Sequence, residues 1–334
     1  MDNDGVRSLY RKPSPNFLKC QESNKESLIT CSTSLILHTL SMTTENKNQG
    51  NHQPYVYMDE MLHSIFFLGY IYDSSLTPDM FFTKPTSCAF VKEKFPEPFE
   101  KYKTHLPTRT PFSILLNMME ILHCTEEKII KELLLLLKKL RFPNPLHKPG
   151  SKYEQYYTLE STVICVCYSD SDSQKYYGAS LSCRKGNAKR ILIDLSCLNT
   201  WHKFISHAVM SFNLRTSGDG ITFPESVKCQ AYFRDWNENV YRKRLPCLNC
   251  KQLFNLPDAD LDKVEHPYGN CAETECLSKL LFNNQHIREN TLMENYTEEN
   301  FETLTGLTKA SLTTQLAQAH IHMNENFLFY SPMQ

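Results

Sequence analysis

Residues 245–281, with the sequence LPCLNCKQLFNLPDADLDKVEHPYGNCAETECLSKLL, hold the densest group of chemically useful side chains in the chain. The stretch contains a Pro-Cys-x-x-Cys element with Cys247 and Cys250, and further on a Cys-Ala-Glu element with Cys271 and Glu273. Two cysteines three positions apart lie on one turn and can share one tetrahedral zinc ion. A third thiolate next to a carboxylate completes the residues that a catalytic zinc site needs. We therefore build the prediction outward from this stretch.

Both cysteine elements are predicted to open helices. Pro246 fits a strand-to-helix turn before the first pair, and Gly269 and Asn270 form a turn before the second element. Residues 272–281 then carry apolar side chains on one helical face, namely Cys276, Leu277, Leu280 and Leu281. Because a helix N-terminus favours thiolate over thiol, both sulfur sources are predicted to be ionised readily.

Size, charge and cysteine usage indicate a soluble protein of a reducing compartment. The 334 residues predict one large or two modest domains, and 41% hydrophobic and 22% charged residues are ordinary for globular chains. A net charge of −1 gives no overall field that would attract nucleic acid or a membrane. The thirteen cysteines are dispersed, and the polar N-terminus lacks the apolar segment of a signal peptide. We expect a cytoplasmic protein, with the nucleus not excluded, and no membrane partner.

Changes in composition predict three regions. Residues 1–53 are polar and are predicted to be a mostly disordered tail. Residues 54–150 are predicted to be a helical module, with helices over residues 112–124 and from Thr125 to a stop before Pro143. Residues 151–334 are predicted to be a mixed α/β domain that carries the cysteine-rich site.

The third region predicts an α/β fold with a mixed sheet and flanking helices. Strands are expected at residues 162–168, 176–184, 190–195 and 227–233, and the first two form a hairpin. Helices are expected at residues 201–212, 297–307 and 309–320, and an edge strand at residues 326–330. The cysteines in or beside the strands are interpreted as small buried apolar residues, namely Cys165, Cys167, Cys183, Cys197 and Cys229.

The two cysteine elements resemble those of the zinc-dependent cytidine and nucleobase deaminases. Residues 268–273, YGNCAE, look like the family's Cys-x-Glu element, and residues 246–250, PCLNC, look like its Pro-Cys-x-x-Cys element. The resemblance implies that Cys247, Cys250 and Cys271 bind Zn2+ and that Glu273 is the catalytic acid and base. It also implies a nucleoside, a nucleotide or a nucleic-acid base as substrate. The two elements stand in the reverse order to that of the family, which leaves open an active, a divergent and an inactive site.

Three alternatives to a catalytic zinc site remain open. The spacing is close to a structural four-cysteine zinc pattern, with Cys276 or His266 as a fourth ligand, and such a closed site does no chemistry. The chain would then be a non-catalytic interaction protein with a protein partner. The cysteines could also bind no metal, or Cys250 or Cys271 could be a nucleophile assisted by His266 and Glu273. The sulfur separations, above all that of Cys276, distinguish these possibilities.

Overall fold

The computed structural model describes most of the chain, namely residues 15–45, 54–122, 125–140, 159–170, 172–183, 186–216, 218–235, 238–256, 266–323 and 327–332. The predicted domain boundary at residue 150 lies outside these ranges, as do both ends of the predicted N-terminal tail. The division into domains therefore stays a prediction. In the part of the chain that is described, no helix is long and apolar enough to cross a bilayer.

The N-terminal part consists of six α-helices and one short 3-10 helix within the described residues. They are α1 (Pro15–Glu45), α2 (Pro54–Tyr72), the 3-10 helix Pro78–Phe81, α3 (Pro85–Lys94), α4 (Pro96–Lys101), α5 (Pro111–Leu122) and α6 (Glu126–Lys139). The helices α1 to α5 all begin with proline, whose fixed φ and missing N–H suit the first helical position. A helical region was predicted over residues 54–150, and the structure confirms helices throughout its described part.

The helix α1 differs from the disordered tail that the sequence predicts. Its apolar residues Leu28, Leu35 and Ile36 are fully buried, and the helix packs against α2. Because its polar residues outnumber these anchors, composition alone predicts disorder, whereas the burial of one stripe stabilises a helix. The helices α5 and α6 lie close to their predicted bounds, and Thr125 caps α6 by accepting a hydrogen bond from the Lys128 amide at 3.4 Å.

In the part of the chain that the structure describes, four antiparallel strands form one sheet in the order β2-β1-β3-β4. The strands are β1 (Val163–Ser169), β2 (Lys175–Ala179), β3 (Val227–Asp235) and β4 (Val240–Arg244). The β1–β2 hairpin was predicted, but the mixed sheet was not correct, because every pairing is antiparallel. The sequence analysis also missed β4, whose charged and largely exposed side chains give no apolar alternation.

Six helices accompany the sheet within the described residues. They are α7 (Gly186–Leu195), α8 (Lys203–Asn213), α9 (Leu248–Phe254), α10 (Ala272–Asn283), α11 (Gln285–Asn290) and α12 (Glu298–Gln318), and a π-helical turn, Ser196–Thr200, follows α7. The predicted strand at residues 190–195 was wrong, since this short apolar run belongs to α7. The two predicted C-terminal helices form one helix, α12. At the predicted edge strand, Phe329 forms only an isolated bridge with Leu106.

The sheet lies between two apolar cores. On one face, Ile164, Val166 and Tyr177 join a core with the N-terminal helices and α7. On the other face, Cys165 and Cys167 join a core with α8, α9 and α10. Alternate residues of a strand point to opposite faces, so β1 contributes to both cores and is buried throughout most of its length. This arrangement brings α10 directly onto the sheet.

Candidate metal centre

Three of the predicted site residues meet at the N-termini of α9 and α10. Cys247 is the N-cap of α9 and Cys271 is the N-cap of α10, while Cys250 lies in the first turn of α9. The Cys247 sulfur is 3.6 Å from the Cys250 sulfur and 3.3 Å from the Cys271 sulfur. All three sulfurs lie within 4.8 Å of one another, close enough for one metal ion. Cys250 is fully buried, whereas Cys247 and Cys271 are half-buried.

Two turns of the chain hold these helix ends in place. The strand β4 ends at Arg244 and leads through Pro246 into α9, as the sequence predicts. Before α10, Gly269 has a φ of +89°, and a Cβ there would lie 2.9 Å from Val209. The backbone oxygen of Asn270 accepts a hydrogen bond from the Leu181 amide at 3.1 Å. Gly269 is therefore required both by backbone conformation and by close packing.

Glu273 lies in the first turn of α10 with its carboxyl group next to the sulfurs. The residue is only 3% exposed. Burial raises the pKa of Glu273 to about 7, and negative charge on Cys247 acts in the same direction. Interaction with the Cys250 thiol and the positive charge of Arg244 are among the influences that lower the pKa of its carboxyl group and so oppose this shift. A carboxyl group in such a position can take up and release a proton near neutral pH.

The three thiols share their protons unequally. Contacts with the Cys250 and Cys271 thiols lower the pKa of Cys247, because they stabilise a thiolate there. The same contact with Cys247 raises the pKa values of Cys250 and Cys271, since ionising a second sulfur would place two negative charges together. A cation between the sulfurs would remove this repulsion, so the donor set suits a metal that prefers thiolate ligands.

The two candidate fourth ligands do not join this group. Cys276 lies farther along α10, and its sulfur contacts Cys167 in a second group of cysteines. His266 is exposed, and among the described residues its ring is not one of the groups that converge on the sulfurs. The backbone oxygen of His266 accepts a hydrogen bond from the Asn249 side chain at 2.9 Å. The site therefore brings together the sulfurs of Cys247, Cys250 and Cys271 without Cys276 or His266, and Glu273 lies in the adjoining first turn of α10.

A cavity of about 780 Å³ lies beside the segment that leads to Cys271. It is bounded by α7, α8, α12 and residues 266–268, and its lining includes Lys189, Arg190, Asp194, Phe212, Arg215 and Tyr268. Tyr268 is anchored there, because its hydroxyl donates to Gln252 at 2.7 Å and its backbone pairs with Asn213. The sequence analysis missed this cavity, since its residues come from segments far apart in the chain.

The sequence analysis also missed a second cysteine group, formed by Cys165, Cys167, Cys229 and Cys276. These residues were interpreted as apolar core residues, apart from Cys276. The spacing of Cys165 and Cys167 places both on one face of a strand, and this was the available signal. Within the described residues, two cysteine clusters are thus positioned to hold a metal ion.

Comparison of the chain with known protein families, with curated proteins and with solved structures found no match. The functional argument therefore rests on the site itself.

Proposed function

We propose that this protein is a zinc-dependent hydrolase that deaminates a nucleobase or nucleoside. One observation carries the proposal: three thiols from two helix N-termini converge, and Glu273 lies buried in the first turn of the helix that Cys271 opens. This is the combination of ligands and carboxylate that the sequence motifs imply. The two motifs that resemble the deaminase elements contain these residues. The reversed order of the motifs is compatible with the resemblance, because the two helix ends meet in space.

Cys247, Cys250 and Cys271 would hold the zinc ion. Bound zinc supplies a coordinated water whose pKa is near 7 in catalytic sites, and three protein ligands leave one position for that water. Cys276 is directed to the other cysteine group, so α10 contributes no fourth sulfur that would close the site.

Glu273 would move the protons. Its carboxylate accepts a proton from the attacking water and passes it to the amino group that leaves the ring as ammonia. The residue occupies the first turn of α10, two positions after Cys271, so the same helix end fixes both the ligand and the proton carrier. Burial next to the sulfurs keeps bulk water from competing for this proton.

The substrate class is an amino-substituted ring of the cytosine or adenine type. The 780 Å³ cavity falls within the range of about 300–1,000 Å³ that small-molecule sites occupy, and its lining reaches Tyr268, three positions before Cys271, but includes neither the three cysteines nor Glu273. Its basic residues Lys189, Arg190 and Arg215 suit a phosphate, so nucleoside monophosphates belong in the substrate panel beside free nucleosides and bases.

Ammonia release from reduced, zinc-loaded protein tests the proposal. We expect wild type to release ammonia from at least one base, nucleoside or nucleotide of the panel. Glu273→Gln should lower the rate about 10²- to 10⁴-fold while retaining the zinc, since it removes proton transfer but no ligand. Glu299→Gln, at an exposed position of α12, is the matched control and should leave the rate unchanged. Folded, zinc-loaded wild type that releases no ammonia from the whole panel would refute the proposal.

A second candidate is a non-catalytic interaction protein whose C-terminal part is stabilised by zinc. The low exposure of Glu273, only 3%, favours it, because a structural site has no need of an open path to substrate. The same assay separates the two candidates. Both expect chelation of the metal to lower stability, but only the enzyme releases ammonia in a reaction that depends on Glu273.

A further inference from the structure

The second cysteine group draws its members from three elements that pack together. Cys165 and Cys167 lie on β1, two positions apart, and so point to the same face of the sheet. Cys229 on β3 is the direct cross-strand partner of Cys167. Cys276 comes from α10, which packs on that face. Residues separated by up to 111 positions thus meet at one point in the core.

The four sulfurs surround a single small volume. The Cys167 sulfur is 3.9 Å from that of Cys165 and 2.8 Å from that of Cys229. Cys167 and Cys276 are joined as a disulfide, with their Cα atoms 5.7 Å apart. All four sulfurs lie within 4.8 Å of one another, and the group is buried except for the half-buried Cys229.

Gly178 brings α10 close enough for Cys276 to reach this group. It lies on β2 as the direct partner of Cys165. A Cβ at this position would be 2.3 Å from the Ala272 oxygen and 2.6 Å from the Cys276 nitrogen. The missing side chain therefore leaves room for the first turn of α10 against the sheet.

We propose that Cys165, Cys167, Cys229 and Cys276 form a closed four-thiolate zinc site that fixes α10 to the sheet. Tetrahedral zinc with Zn–S bonds of about 2.3 Å needs sulfurs about 4 Å apart, which this group provides with modest adjustment. A disulfide uses only two of the four sulfurs and does not explain why the sulfurs of Cys165 and Cys229 lie beside them. Four protein ligands fill the coordination shell, so this ion holds structure and does no chemistry.

Zinc is the ion that this donor set selects. Thiolates are soft ligands and disfavour magnesium and calcium, and a tetrahedral four-sulfur set is typical of zinc or iron. Binding starts from the reduced protein. A phosphine reductant supplies two electrons to the Cys167–Cys276 bond, two protons from solvent complete the thiols, and Zn2+ then displaces four thiol protons into the buffer. The site does not depend on the proposed deaminase activity.

The decisive sample is the full-length chain in which Cys247, Cys250 and Cys271 are all replaced by serine. This variant removes the ligands at the ends of α9 and α10, so any zinc that remains is bound elsewhere. After reduction with a phosphine, loading with zinc and removal of loosely bound metal, we expect one zinc per chain. X-ray absorption at the zinc edge should then show four sulfur neighbours at about 2.3 Å.

Single replacements in that background test the assignment. Cys229→Ser should remove the zinc, because it deletes one of the four ligands. Cys197→Ser is the matched control, since Cys197 is equally a buried thiol but lies outside both groups, and it should leave the zinc in place. If the triple variant does not fold, the zinc content and sulfur coordination of the reduced wild-type protein are measured instead. Two zincs per chain with an average above three sulfurs each then support the site.

Several results would overturn the proposal. They are a folded and reduced triple variant that binds no zinc, a bound zinc with fewer than four sulfur neighbours, iron in place of zinc, and equal loss of zinc in the Cys197 control. A single zinc with three sulfur neighbours in wild type would do the same. Loss of ammonia release alone bears only on the proposed function, so the two proposals can fail separately.

Discussion

Replacement of Gly178 by alanine tests whether the close packing of α10 on the sheet organises both cysteine groups. Gly178 lies in β2, and its φ is outside the left-handed region, so alanine fits the backbone itself. The obstacle is the neighbour: the added Cβ would lie 2.3 Å from the Ala272 oxygen and 2.6 Å from the Cys276 nitrogen. These two backbone atoms lie four residues apart, in the acceptor and donor positions of an i→i+4 hydrogen bond near the start of α10. Neither is a side-chain atom that could rotate away.

The expected change in the free energy of unfolding follows from two opposing effects. Extra carbon in a packed core costs about 1–3 kcal/mol, and a clash with helix backbone belongs at the upper end of that range. Alanine in place of glycine recovers about 0.5–1 kcal/mol through the lower entropy of the unfolded chain. We therefore expect Gly178→Ala to lower the free energy of unfolding by about 2 kcal/mol.

Urea unfolding followed by circular dichroism measures the change. Gly306→Ala is the matched control, because Gly306 lies on an exposed face of α12 and an added Cβ there meets no atom within 4 Å. The control should raise the free energy of unfolding by about 0.5–1 kcal/mol. The zinc content of Gly178→Ala should also fall, since displacement of α10 moves Cys271 and Cys276 together. A Gly178→Ala protein as stable as wild type, with its full zinc content, would refute the reasoning.

Three further perturbations follow from buried or capping groups. Nη1 of Arg234 donates to both carboxylate oxygens of Glu160 at 2.8 and 2.9 Å, and the two side chains are only 2% and 1% exposed, so Arg234→Met should cost about 3–5 kcal/mol in urea unfolding. Adding Glu160→Gln should recover part of this loss, because it removes the buried carboxylate that has lost its partner. If no stability is recovered, an unpaired charge is not the cause of the loss. Burial raises the pKa of Asp194 to about 7, against the hydrogen bond from Gln315, so the folded state favours the protonated acid. Stability from this group is present below about pH 4 and is lost as the pH rises to about 7, and Asp194→Asn should flatten that dependence in unfolding titrations. Thr125→Ala should cost about 1 kcal/mol through loss of the α6 cap, and an unchanged urea midpoint would speak against the cap.

Local sequence patterns predicted the elements with strong periodicity. The helices α5 and α6, the β1–β2 hairpin and the two helices capped by Cys247 and Cys271 are all near their predicted places. The short apolar run at residues 190–195 was assigned to a strand, because six residues fit either period and only the packing of α7 against α12 decides. The helix α1 was missed for the related reason that its buried stripe is narrow and its composition polar.

The stretch at residues 245–281 by itself determined the chemistry of the candidate site. Its spacing placed Cys247 and Cys271 at helix starts and put Glu273 in the first turn of α10, two positions after Cys271, and these are local consequences of backbone geometry. Tertiary structure alone decided which of the two cysteine groups the Cys276 sulfur joins. A helix rotates by roughly 100° per residue, so five positions beyond Cys271 the side chain faces the sheet instead of the triad. There the register of β1 with β3 sets Cys167 opposite Cys229, and Gly178 admits α10. Contacts between residues so far apart in the chain depend on strand register and helix packing, which no local pattern encodes.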